Sequence, residues 1–291
     1  MSKRSGNFVT PEDMIQKYGA DALRYWAAEA NLGCNLNFNE SEIANGKKLL
    51  TKLWNAAKFI DMHMKDFEKF SKMPEKMPEN LGVIDKALLS RLNTVVKHST
   101  ENFDRYEFSR VKNEVEKFFW VDFCDNYLEI VKDKLYKPEV YGVTDRQNAQ
   151  WVLYYSFFTL TKLFAPFIPY MAEELYQTFF KTEGMEKSVH LSAWPLVLEN
   201  FIEEQCEQSF EKCLEIISVV RKFKTENNVS LNTPVELIIS SDKPENLKDI
   251  QKFEKDIKSA TRYSSLSYEG KTDFSLEKYS IGVGVRVSSQ V

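Results

Sequence analysis

A chain of 291 residues is long enough for two domains, and 43% apolar with 28% charged residues is the balance of a folded globular protein rather than a disordered one. A formal net charge of −4 excludes a broad cationic field of the kind that holds nucleic acid indiscriminately, and leaves room for local basic faces on an acidic body. The cysteines Cys34, Cys124, Cys206 and Cys213 form no Cys-x-x-Cys pair, and with His63, His98 and His190 they offer no zinc spacing, so structural thiols and no metal are expected.

No apolar run approaches the roughly 20 residues of a membrane helix, and the first residues carry no apolar signal-peptide core. A cytoplasmic protein without a membrane partner is the expectation. The opening Met1-Ser2-Lys3-Arg4-Ser5-Gly6-Asn7 sets two cations among hydroxyls and a glycine. Such a stretch suits a mobile loop around a polyphosphate, with Lys3 as a point charge, and equally a disordered tail.

Thr10 before Pro11, with Asp13 three residues on, reads as a capped helix start, and Gly19 should end that helix after Tyr18. A second helix is expected over residues 20–30, closed by Asn31-Leu32-Gly33. Residues 40–69 contain no proline, and Ile43, Gly46, Leu50, Leu53, Ala57, Ile60 and Met64 recur at three- and four-residue steps, predicting one long helix with a buried seam. The lysines and prolines of residues 71–79 predict a surface connection. Helices are expected over 84–102 and 106–135, then over 145–183 with a break at Pro166 and Pro169. Four long helices with short links make an antiparallel bundle. Beyond Trp194-Pro195 the pattern changes to a helix over 202–227, a strand over 235–239, a helix over 244–259 and strands over 266–268 and 281–287. The expected fold is mainly α: connecting helices in 1–38, a helical bundle in 39–199 and a small α+β domain in 200–291.

Off the apolar seam of the long helix, Lys48, Lys52, Asn55 and Phe59 follow at steps of four, three and four and share one face. Cations for phosphate, an amide for a base edge and a ring for stacking are the parts that hold single-stranded bases. The alternative is that Phe59 packs on a neighbouring helix above solvated lysines. A second basic run, Arg221-Lys222-Phe223-Lys224, lies near a helix end, where cations suit the macrodipole or, alternatively, follow nucleic-acid phosphates through Arg221 and Lys222.

The stretch from Asn7 through Pro11-Glu12-Asp13 to Tyr18-Gly19-Ala20-Asp21-Ala22-Leu23-Arg24 resembles class I aminoacyl-tRNA synthetases of the valine, isoleucine and leucine group just after their KMSKS loop. The resemblance sets Lys3 at the loop's second lysine, which binds ATP phosphates, while Arg4 stands where the pattern has serine and the first lysine would precede Met1. Lys52-Leu53-Trp54-Asn55-Ala56-Ala57-Lys58-Phe59 and Trp120-Val121-Asp122-Phe123-Cys124-Asp125-Asn126-Tyr127-Leu128-Glu129 are similar to segments of valyl-tRNA synthetases. So are Ala165-Pro166-Phe167-Ile168-Pro169-Tyr170, Glu173-Glu174-Leu175-Tyr176 and His190-Leu191-Ser192-Ala193-Trp194-Pro195, so that the likeness runs over residues 1–195.

The resemblance implies a bundle that binds the anticodon through Lys52, Phe59 and Leu128, although Leu128 also falls on an apolar seam. Trp120, Phe123 and Tyr127 are expected to pack. The parent reaction it implies uses ATP with magnesium to join valine to tRNA(Val). The chain is then expected to be the C-terminal part of a monomeric ligase, beginning inside the KMSKS loop and inactive without the N-terminal catalytic and editing domains. Two alternatives stand beside it. An isoleucyl enzyme shares the loop and the Gly19-Ala20-Asp21 stretch but commonly carries a cysteine-ligated zinc, for which no spacing occurs here. A helical scaffold would bind another protein through the apolar seam. The tail lacks the sustained heptads of the coiled-coil arm in which valyl enzymes often end.

Overall fold

The computed structural model describes residues 9–35, 37–70 and 72–288. In chain order the helices are α1 (Pro11–Tyr18), α2 (Ala20–Ala27), α3 (Glu40–Met62), α4 (Val83–Asp104), α5 (Phe108–Lys117), α6 (Leu128–Tyr136), α7 (Pro138–Tyr141), α8 (Val143–Phe164), α9 (Pro169–Leu175) and α10 (Glu204–Glu226). After them come β1 (Val235–Ser241), α11 (Pro244–Gln251), α12 (Glu254–Thr261), β2 (Tyr263–Ser267), β3 (Phe274–Leu276) and β4 (Ile281–Val287). The fold is mainly α, a helical bundle followed by a small α+β region. The chain divides into two compact units, Met1–Lys76 with Leu92–Val121 and Gln150–Glu199, and Met77–Arg91 with Asp122–Ala149 and Asn200–Val291.

In the first unit the capping box at Thr10 forms as its spacing requires. The Thr10 hydroxyl accepts from the Asp13 amide at 3.1 Å, and the Asp13 carboxylate accepts from the Thr10 amide at 3.2 Å. Gly19, at φ 91°, turns the chain directly into α2. Helix α2 crosses α3 closely because Gly46 has no side chain, and a Cβ there would lie 3.0 Å from the Ala22 carbonyl oxygen. Met14, Ala22 and Ile43 form the buried centre of this crossing. Asp21 accepts from the amides of Tyr170 and Met171, at 3.3 and 2.6 Å, and so satisfies the first turn of α9. Pro169 occupies the first position of α9, so the expected break is a clean helix end and restart.

Helix α3 stops at Met62, seven residues short of the expected end. The Gln150 amide donates to the His63 carbonyl oxygen at 2.6 Å, and Phe67 and Phe70 turn back onto the Tyr154 ring at 5.4 and 4.7 Å. Tertiary packing of these rings outweighs continued helix. Helix α2 likewise ends at Ala27, earlier than its pattern indicates.

The expected helix over 106–135 is one helical run, α5 and α6 joined by a wider π-type winding over Phe118–Tyr127. Its half in the second unit anchors a polar core. Tyr127 donates to Asp85 at 2.6 Å, Lys134 pairs with Asp256 at 2.7 Å, and Arg91 bridges Asp122 and Glu211 at 2.7 and 3.3 Å. The sheet of this unit runs β2-β1-β4-β3, with β2 parallel to β1 and the other pairs antiparallel. Gly284 is fixed by a close approach, since a Cβ there would lie 2.7 Å from the Lys271 carbonyl oxygen. The expected helix over 244–259 is two helices parted at Lys252–Phe253, where Phe253 is fully buried. Strand β3 escaped the pattern because it is a three-residue edge element.

Candidate nucleic-acid interface

Helix α3 buries Ile43, Gly46, Leu49, Leu53, Ala56, Ala57 and Ile60 and turns the Lys48, Lys52, Asn55 and Phe59 face away from that seam. Lys48 and Asn55 are exposed, whereas Lys52 and Phe59 are half-buried. Three of the four side chains are partly positioned. Lys48 Nζ donates to Asn45 Oδ1 at 3.2 Å, Lys52 Nζ lies 3.8 Å from the centre of the Trp120 ring, and Phe59 meets the His63 ring edge-on at 5.0 Å. The four residues thus form a row of charge, amide and ring along one partly exposed helix face.

A cleft of about 320 Å³ opens at the Lys48 end of this row, between α2, α3 and α5. Trp26 and Trp120 line it, with Tyr25 beneath them. Lys112, almost fully buried, is ion-paired with Glu29 and, at 3.4 Å, with Glu116, and its ammonium group lies 4.5 Å from the centre of the Tyr25 ring. Burial, and then the Glu116 carboxylate, pushes the Tyr25 phenol far above its ordinary value, so it stays protonated at any working pH. The sequence pattern assigned Trp120 to packing along with Phe123 and Tyr127. Those two are fully buried, but Trp120 is half-exposed and supports Lys52. Its partner lies far away along the chain, and only the spacing of Trp120 from the buried Phe119 and Phe123 hints at an outward-facing ring.

The remaining candidates are placed differently. Leu128 is 7% exposed and packs in the second unit, offering little surface to a base. Arg221 Nη1 donates to the Asp125 carbonyl oxygen at 3.3 Å and to Asn126 Oδ1 at 3.4 Å. Lys222 has a 66% exposed side chain, 3.9 Å from Glu226. Lys224, only 1% exposed, directs its three N–H groups to the carbonyl oxygens of Leu231, Thr233 and Thr261 at 2.8, 2.7 and 2.7 Å. Lys3 lies outside the described residues. Among the described residues no group of three or more His, Cys, Asp or Glu is placed to hold a metal ion, and no helix is long and apolar enough to cross a membrane.

Residues 85–239, just over half the chain, match the anticodon-binding domain of tRNA ligases, and residues 1–39 match the class I tRNA synthetases for I, L, M and V. The chain belongs to the anticodon-binding domain family of tRNA ligases. Relatives that it matches include valine–tRNA ligases. That of Rickettsia felis (strain ATCC VR-1525 / URRWXCal2) is 36% identical over 263 residues, covering 87% of this chain and 30% of the relative. That of Ehrlichia ruminantium (strain Gardel) is 36% identical over 286 residues, covering 97% and 34%. The chain therefore spans about a third of the length of the curated relatives it matches. These matches favour the valyl reading over the isoleucyl and scaffold alternatives. A chain in the crystal structure of the ternary complex of Agrobacterium radiobacter K84 agnB2 LeuRS, tRNA and LeuAMS shares the fold, at 20% identity and a TM-score of 0.52, over 70% of this chain and 23% of that one.

Proposed function

We propose that this chain binds the anticodon arm of a valine tRNA through the exposed face of α3, in the service of an enzyme that joins valine to that tRNA at the expense of ATP. The observation that carries the reading is the row Lys48, Lys52, Asn55 and Phe59 on α3, in a chain whose residues 85–239 match the anticodon-binding domain of tRNA ligases. Lys48 and Lys52 meet phosphates, Asn55 meets a base edge and Phe59 offers a stacking face. In this reading residues 1–38 connect, 39–199 form the tRNA-binding bundle and 200–291 form an α+β appendage. Lys222 is a peripheral phosphate contact, and Leu128 and Arg221 serve the packing of their own unit.

The full ligase is proposed to work as a cytoplasmic monomer, with catalytic and editing domains as the partners of this chain. ATP with magnesium is a substrate of its reaction, and Lys3 is the residue the family pattern assigns to the ATP phosphates. The test is binding of the chain to a valine tRNA transcript across a salt series. A dissociation constant that rises steeply with salt is expected, because neutralised phosphates release counterions. Binding to proteins with little salt dependence, and none to the transcript, would return the scaffold reading.

A further inference from the structure

A second cavity, of about 80 Å³, lies wholly within the second unit, where the ends of α10 and α12 meet Glu129 of α6. Arg221, Lys224 and Arg262 line it with Ser259 and Asn232, and Glu129 is the one carboxylate among the described lining residues. Glu129 is already paired with Lys132 at 2.6 Å, and Asp133 pairs with Arg262 and, at 3.3 Å, with Lys137. Counting those neighbours only enlarges the positive surplus. The cations also repel one another, since burial and then the Arg262 guanidinium lower the Lys224 pKa to about 8. The fold accounts for Lys224, whose three N–H groups go to the carbonyl oxygens of Leu231, Thr233 and Thr261, so it supplies field rather than a donor. Three features are left over. Arg262 holds the left-handed position after α12, at φ 59°, which glycine takes without strain. Ser259 is 2% exposed, and its hydroxyl is buried with no hydrogen-bond partner among the described residues. Arg221 gives only Nη1 to protein, at 3.3 Å to the Asp125 carbonyl oxygen and 3.4 Å to Asn126 Oδ1, and Arg262 gives only Nη1, to Asp133. The other N–H groups of both guanidiniums have no acceptor among the described residues.

We propose that this cavity binds one free oxyanion of the phosphate class, held between the guanidinium groups of Arg221 and Arg262 with the Ser259 hydroxyl as a further donor. Planar guanidinium forks make charge-assisted bonds to tetrahedral oxyanions, and the bound charge relieves the repulsion among the three cations. At about 80 Å³ the space is well under the roughly 300 Å³ at which small-ligand pockets begin, which leaves room for phosphate and none for a nucleoside. The inference is independent of the tRNA-binding reading, because the cavity and the α3 face belong to different units.

The test titrates the full chain with inorganic phosphate near neutral pH, at an ionic strength held constant with sodium chloride, and reads binding by calorimetry and by the midpoint of thermal unfolding. The wild type is expected to bind a single phosphate, and its midpoint to rise with phosphate and not with chloride alone. Arg221→Gln and Arg262→Gly should each weaken that binding about 10-fold or more, and Ser259→Ala about 3-fold. Lys222→Gln, at an exposed position of α10, should leave it unchanged. Glycine relieves the left-handed backbone at 262, and removing an unpartnered hydroxyl costs the fold little, so these two variants keep the test sound if Arg221→Gln folds poorly. Phosphate binding no stronger than that of chloride, or equal phosphate affinity in the wild type, Arg262→Gly and Ser259→Ala, would overturn the inference. So would displacement of the bound phosphate by a valine tRNA transcript, since the cavity would then serve the RNA backbone. The tRNA-binding reading fails separately, on transcript affinity, which Arg221→Gln should change by less than about 2-fold.

Discussion

Two stretches of this chain look alike in one dimension, each with lysines and an aromatic ring on a 23-residue helix, and they end in opposite circumstances. On α3 the cations lie along the middle of the helix, where every carbonyl is already bonded within it, so Lys48 and Lys52 take partners at the surface. On α10 the run Arg221 to Lys224 falls in the last turns, where helix and loop carbonyls lack donors. Lys224 is drawn inside to three such oxygens, and burial, then the nearby Arg262, lowers its pKa to about 8. Arg221 is held by Asp125 and Asn126, and Lys222 keeps most of its side chain in solvent. The ends of a helix thus offer open carbonyls that can draw a cation such as Lys224 into the fold, which the middle of α3 does not.

Lys224→Met should break that comparison most visibly. Three buried carbonyls would lose their donor, and a loss of about 3 kcal/mol is expected in urea unfolding, while Lys222→Met stays within about 0.5 kcal/mol. Equal small losses for both would mean that Lys224 serves no structural role. On the other side of the comparison, Lys52→Ala and Phe59→Ala should each weaken tRNA binding about 10-fold, about 1.4 kcal/mol, without lowering the thermal midpoint of unfolding by more than a few degrees. Loss of folding with either would place these side chains among the structural ones.

Acid sharpens the same distinction, because neighbouring cations hold two carboxylates of the second unit low. Against burial, Arg262 and Lys137 keep Asp133 below its ordinary value, and Lys212 and Ser209 do the same for Asp249. A depressed folded-state pKa stabilises above the unfolded value, roughly 3.9, and that stability is lost as pH falls through the folded value. Unfolding free energy should therefore hold down to about pH 4 and decline below it, with a shallower decline in Asp249→Asn. An unchanged slope in that variant would show that Asp249 is not among the groups responsible. The smallest effect is expected at Lys222. Lys222→Ala should lower the slope of log affinity against log salt by about 1 if it meets a phosphate, and leave the slope unchanged if it is only solvated.

The legible parts of the fold were those decided within a turn or two of helix. Thr10, Pro11 and Asp13 specify a capped start locally, Pro169 specifies a helix start, and the three-four steps of Ile43, Gly46, Leu53, Ala57 and Ile60 specify a buried face. The stripe of Lys48, Lys52, Asn55 and Phe59 followed from the same periodicity. What stayed hidden depends on partners far along the chain. The end of α3 is set by Gln150 and Tyr154, the outward placement of Trp120 by Lys52, and the inward turn of Lys224 by carbonyls that include Thr261. The cleft was hidden for the same reason, since Tyr25, Lys112 and Trp120 come together only when α2, α3 and α5 pack.

The central claim is that the α3 face reads the anticodon rather than merely attracting RNA. Its most direct test is the affinity of the chain for a valine tRNA transcript and for the same transcript with the middle anticodon base changed from A to G, measured with the wild type and with Phe59→Ala. The account predicts that the wild type discriminates about 10-fold or more and that Phe59→Ala largely loses the discrimination. Equal binding of both transcripts by the wild type would contradict it and reduce the interface to backbone contacts alone.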